Sequence, residues 1–135
     1  MKLKRSTVRL LMAGLKALDG RQELARDNDG KTLGLITLPY DLGVKARYAA
    51  AKTIAKIQDE VDACNTACNA MVAGSRVKFD DVANDPNIEK EISVFLAESV
   101  EVEVFCCQVS EFKIDTNKLP PSVIAAIMPI LEGDV

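Results

Sequence analysis

Apolar residues recur along this chain at helical spacing in some stretches and at strand spacing in others. After Ser6, a residue type that caps helix N-termini, Val8, Leu11, Met12, Leu15 and Leu18 follow one another at intervals of one or three until Gly20. That period places them on one face of a helix of about four turns, with the glycine just past its end. A helix this short needs a packing partner to persist in water. The run Arg26-Asp27-Asn28-Asp29-Gly30-Lys31-Thr32-Leu33-Gly34 is rich in turn formers, and Leu35-Ile36-Thr37-Leu38 ahead of Pro39 reads as a short strand or an apolar tether.

The longest regular pattern comes next. From Asp41 onward, Val44, Tyr48, Ala51, Ala55, Gln58, Val61, Cys64, Cys68 and Met71 are three or four residues apart, with Ile54, Ile57 and Val72 widening the stripe. One helix running to about Val72 is predicted, roughly 45 to 50 Å long at 1.5 Å per residue. Alanines fill its first half and allow a second helix to come close, so the first helix is its expected antiparallel partner.

Gly74 and Ser75 break that pattern. Asn84-Asp85-Pro86 reads as a turn with a cap, and Ile88, Ile92, Phe95 and Leu96 give a short helix an apolar face. Val100-Glu101-Val102-Glu103-Val104 alternates as a strand does when one face is buried and the other wet. Phe112-Lys113-Ile114 reads as a second strand, returned by a turn at Gln108-Val109-Ser110-Glu111. After Leu119-Pro120-Pro121, residues 122–131 form a short helix that Pro129 ends or kinks. The expected fold is therefore α+β and mostly helical: an antiparallel helix pair with one long helix, a small β-hairpin and a short C-terminal helix.

Composition narrows this further. A chain of 135 residues, 48% hydrophobic and 27% charged, is the size of one domain and able to bury a core, so residues 1–135 are expected to form a single domain. Aromatics are only 4% and Trp is absent, which leaves Ala, Leu, Ile and Val to build that core. The absence of His removes imidazole acid–base chemistry and His-containing metal sites. Met1-Lys2-Leu3-Lys4-Arg5 imitates the start of a secretory signal, but Arg9 and Lys16 interrupt the apolar run behind it. No stretch reaches the roughly twenty apolar residues that a membrane crossing needs. The expectation is a chain made in the cytoplasm with reduced thiols and no membrane partner.

The net charge of −3 conceals an uneven distribution. Lys2, Lys4, Arg5, Arg9 and Lys16 open the chain without an acid, whereas Asp80, Asp81, Asp85, Glu89, Glu91, Glu98, Glu101, Glu103, Glu111 and Asp115 face only Lys90 and Lys113. Solvated faces account for this most simply. The sharper reading is head-to-tail attraction between copies. Nucleic acid is disfavoured as a partner, because the basic cluster is short and lacks interleaved aromatics.

Each candidate for chemistry has an ordinary explanation. Gly30-Lys31-Thr32 ends like a phosphate loop, but Ala25 stands where the leading glycine belongs. Asp27-Asn28-Asp29-Gly30 resembles part of a calcium loop without the bidentate Glu that closes one. Cys64 and Cys68 share a helix face, yet the adjacent Cys106 and Cys107 point to opposite sides of a strand, so four buried thiols are expected instead of a metal centre. Asp59, Glu60 and Asp62 near Lys52 and Lys56 read as solvated charge. No catalytic, cofactor-binding or metal-ligating residue is assigned, and no small-molecule substrate is expected.

Three stretches together resemble a group of small proteins of tailed bacteriophages encoded among genes for virion structure and assembly. They are Leu3-Lys4-Arg5-Ser6-Thr7 before the first helix; Leu38-Pro39-Tyr40 before a long helix holding Lys45, Ala46, Tyr48, Ala49, Lys52, Ile57 and Glu60; and Ile88 to Leu96 with Glu98, leading through Val100 to Val104 into Leu119-Pro120-Pro121 and the terminal apolar helix. Asp27 to Gly34 and the Cys106-Cys107 pair depart from that pattern. The resemblance implies a non-enzymatic virion or assembly component, such as a minor head, connector or tail protein, whose partners are other copies of itself and phage structural proteins. The rival expectation is a small cytoplasmic regulator that binds a host protein or nucleic acid.

Overall fold

The computed structural model describes residues 1–73 and 86–133. Lys2–Lys4 (β1) runs directly into the helix Arg5–Ala17 (α1). β1 is paired antiparallel with Ser99–Glu101 (β4), Leu3 lying opposite Val100. Lys4, in extended conformation, is the N-cap of α1 and makes no side-chain cap bond, so the helix begins one residue before the serine expected to cap it. The Arg5 N–H instead donates to the Glu98 carbonyl at 3.0 Å. A backbone group from another element thus satisfies a donor that the helix start leaves free.

The expected stripe of α1 is the buried one: Val8, Leu11, Met12 and Leu15, with Leu18 just beyond. It is enclosed by the long helix Val44–Ala73 (α2), by Pro86–Ala97 (α3) and most closely by Pro121–Ile127 (α5). The closeness depends on Gly14, where an added Cβ would lie 2.7 Å from the Cβ of Ala126 and 3.0 Å from Cγ2 of Ile127. α1 and α2 form the antiparallel pair of a mostly helical α+β fold, and the 30 residues of α2 span about 45 Å.

α2 buries a different face in its first half than the pattern predicts. Ile57, Val61 and Cys64 are buried as expected, but they are joined by Ala46, Ala49, Ala50 and Thr53. Val44 is 83% exposed, Tyr48 is 59% exposed, and Ala51 and Ala55 lie in solvent. The larger apolar residues lose to the smaller because alanines let the neighbouring backbones come close. Thr53 is admitted because its Oγ1 accepts the Phe105 N–H at 2.9 Å, which leaves no buried polar atom unpaired there.

A β-hairpin is present, but not where the alternating valines place it. It consists of Arg21–Arg26 (β2) and Thr32–Leu38 (β3): of the two alternatives for Leu35–Leu38 the strand is the one present, it starts earlier than expected, and its partner β2 lies in a stretch that carried no strand expectation. Of the Val-Glu alternation only β4 is strand, paired with β1; the alternation itself persists, with Val102 buried and Glu101 and Glu103 exposed. Phe112 ends a 3₁₀ turn over Val109–Phe112 and is fully buried, a core plug instead of a strand residue. Lys113 then takes a left-handed φ of 48° before the short helix Ile114–Asn117 (α4). α5 gives way at Ile127 to a 3₁₀ turn containing Pro129, and Leu131–Glu132 (β6) pairs in parallel with Cys107–Gln108 (β5). The expected break at Gly74-Ser75 and the turn at Asn84-Asp85 lie outside the described residues.

A polar clasp fixes the approach to α2. The Asn117 side chain accepts the Asp41 N–H at 2.8 Å and donates to the carbonyls of Asp41 at 2.9 Å and Phe112 at 3.0 Å. The Gly43 N–H donates to the Glu111 carbonyl at 2.8 Å.

Two substitutions test this packing by denaturant unfolding. Ile57→Asp places an unpaired charge at a fully buried position and should cost more than about 4 kcal/mol. Gly14→Ala adds one methyl where there is no room and should cost about 1–3 kcal/mol. An unchanged midpoint for Gly14→Ala would show that α1 and α5 are not in close contact.

Candidate functional site

The β2–β3 hairpin is organised from its tip. The Asp27 carboxylate accepts the N–H groups of Asp29 at 2.9 Å and Lys31 at 2.8 Å, and Gly30 supplies the positive φ of 78° that the turn requires. The residues suggestive of phosphate or calcium binding therefore build a turn, with the Asp27 side chain engaged by its own backbone. Leu24 stands opposite Leu35, and a bulge near Arg26 leaves Leu33 unpaired on the face of Leu35.

That face is wet. Leu24 is 53% exposed and Leu33 and Leu35 are each 67% exposed, while Ile36 on the other face is 44% exposed. Neither strand packs extensively against another described element. An isolated two-stranded hairpin is at best marginal in water. These four side chains leave about two leucines' worth of apolar surface uncovered, roughly 3–6 kcal/mol of transfer free energy not gained within the chain.

A second apolar surface lies on α2. Val44, Tyr48 and Ala49 form one wall of a groove of about 680 Å³, and Val104, Phe105, Cys106 and Cys107 form the other. Lys45, Gln108 and Glu132 stand at its rim. The Lys52 ammonium lies 5.7 Å from the Tyr48 ring and 6.0 Å from that of Phe105. This groove accounts for the exposed stripe of α2: the fold uses the alanine face and leaves the Val44–Tyr48 face free.

The opposite charges of the two chain halves meet within one molecule. The Met1 ammonium is 2.7 Å from Glu101, whose carboxyl is held below its ordinary range by that hydrogen bond and charge. The Arg5 guanidinium lies 4.1 Å from the centre of the Phe95 ring, donates to the Phe95 carbonyl at 3.2 Å, pairs with Glu98, and stands 3.8 Å from Glu60. Glu60 is thus more than solvated charge, and Lys56 pairs with Glu103 at 3.5 Å instead of with its helix neighbours. These contacts give an intramolecular role to groups read as attracting another copy.

The four cysteines are free thiols in two separate pairs. Cys64 and Cys107 are buried, Cys68 is partly exposed, and Cys106 is exposed, so two of the four depart from the expected burial. Burial raises the thiol pKa of Cys64 and Cys107 above the ordinary value, helped by neighbouring Cys68 and Glu111 respectively. Among the described residues no three Cys, Asp or Glu side chains group to hold a metal ion, and no helix is long and apolar enough to cross a membrane.

Neither apolar surface is among the features that the sequence alone predicts. Leu33 and Leu35, two residues apart beyond an Asn-Asp-Gly turn, carried a strand signal that was available. The groove had none, because its two walls are more than fifty residues apart in sequence. In comparisons with known proteins, no family model, no curated protein and no solved structure matches this chain.

Thiol labelling of the native protein near neutral pH should modify Cys106 first and leave Cys64 and Cys107 protected until unfolding, read by mass spectrometry of digested peptides. Arg5→Ala should cost about 1–3 kcal/mol, and Arg5→Lys should restore only part of it because an ammonium lacks the planar fork that both stacks and pairs. Stability of Arg5→Lys equal to that of the unmodified protein in denaturant unfolding would reduce the role of Arg5 to charge alone.

Proposed function

We propose that this protein is a non-enzymatic component of a tailed-phage virion, or of its assembly, made in the host cytoplasm and acting through contacts with copies of itself and with other structural proteins. The observation that carries the reading is the hairpin arm: residues 21–38 leave the core between Gly20 and Pro39, fold on themselves and present leucines to water. A soluble monomer gains nothing from this surface, whereas an assembling subunit has a use for it. The apolar groove on α2 supplies a second contact surface.

The resemblance to phage structural-gene products supports the same reading from the sequence side. A minor head, connector or tail position each suits a subunit of this size. Quantitative mass spectrometry of purified particles of the encoding phage tests it. The expected result is this chain in a fixed ratio to the major capsid protein, or in assembly intermediates if it acts only there. Absence from both would overturn the reading and favour a regulator that binds a host factor.

A further inference from the structure

We infer that the hairpin arm of one copy seats its Leu24, Leu33 and Leu35 face in the Val44–Tyr48–Phe105–Cys106 groove of a second copy, joining chains head to tail. The inference deepens the proposed function and rests on its protein-contact part, independent of the phage assignment. One chain carries both an apolar projection and an apolar recess, each uncovered. The groove falls within the range of about 300–1,000 Å³ typical of binding recesses.

Charge fits the same occupant. Lys45 and Glu132 put both signs at the groove rim, and Arg26, Asp29 and Lys31 put both signs around the exposed tip of the arm. The copy's own arm is badly placed to fill the groove. At its root, Leu18, Asp19, Tyr40 and Leu42 line a recess against Arg47, Ala50, Ala51 and Ile54, whereas Val44, Lys45, Tyr48 and Ala49 line the groove. At 3.6 residues per turn these two sets lie roughly 140° apart around α2. A contact between different surfaces of identical subunits is heterologous, and it closes into a ring or continues as a filament.

Complementary variants test this with the full chain. Leu33→Asp with Leu35→Asp disables the arm, and Val44→Asp with Tyr48→Asp disables the groove; all four positions are exposed, and circular dichroism should confirm that both variants stay folded. By light scattering after size exclusion, the unmodified protein should form multimers and each variant alone should be monomeric. An equimolar mixture should form a 1:1 dimer and nothing larger, since it holds one intact arm and one intact groove. In addition, Leu35→Cys should form an intermolecular disulfide with Cys106 under mild oxidation, lost when Cys106 is changed to Ser.

A monomeric unmodified protein, multimers that survive either double variant, or a complex that needs the arm but not the groove would each overturn the inference. Its failure is separable from failure of the phage reading. Copies that cross-link but are absent from particles and intermediates would leave this contact standing and remove the phage assignment. Monomers found in particles would do the reverse.

Discussion

Close approach around α1 is the constraint on which the rest of the structure depends. This helix has only thirteen residues, and its stability comes from enclosure by α2, α3 and α5. Enclosure on several sides requires small residues at the contacts, and the chain provides Gly14 against Ala126 on one flank and the alanines of α2 in the same core. Once alanines face inward, the helical period dictates that Val44 and Tyr48 face out. The exposed apolar stripe of α2 is thus a geometric consequence of how the core is packed.

Electrostatics reinforces that enclosure. Arg5 is held by the Phe95 ring, the Phe95 carbonyl and Glu98, with Glu60 nearby, so it ties the start of α1 to α3 and α2. The β1–β4 pairing brings the basic opening of the chain beside the acidic segment around Glu101. A linear charge map suggests a molecule with two opposed poles. Among the described residues, folding sets Glu98 and Glu101 beside Arg5 and the Met1 ammonium, and such neutralisation reduces the long-range field and leaves apolar surface as the more selective basis for association.

The hairpin occupies a different position in the energetics. It interrupts the path from α1 to α2 and keeps Leu24, Leu33 and Leu35 in water. A two-stranded ribbon has neither a third strand nor a helix to cover a face, so its stability rises when another surface covers it. With the groove on the far side of α2 from the root of the arm, the molecule carries two unlike apolar surfaces. Identical units joined through such contacts propagate in one direction, as rings and filaments require.

The sequence by itself determined the elements whose signals are local. The 3.6-residue period of Val8, Leu11, Met12 and Leu15 identified the buried face of α1, the extended periodicity before Ala73 identified a single long helix, and Pro129 marked the end of the last helix. The mostly helical α+β character followed from these. Tertiary structure decided which face of α2 is buried, because Ala46 and Ala50 outrank Val44 and Tyr48 only when a neighbouring backbone is close enough for size to matter. It also decided that β4 pairs with β1, with most of the chain's sequence between them, that Phe112 is a core plug, and that residues 21–38 form a free-standing arm. Strand partners, close helix approaches and grooves with walls remote in sequence depend on distances between segments, and hydrophobic periodicity along one segment carries no information about those distances.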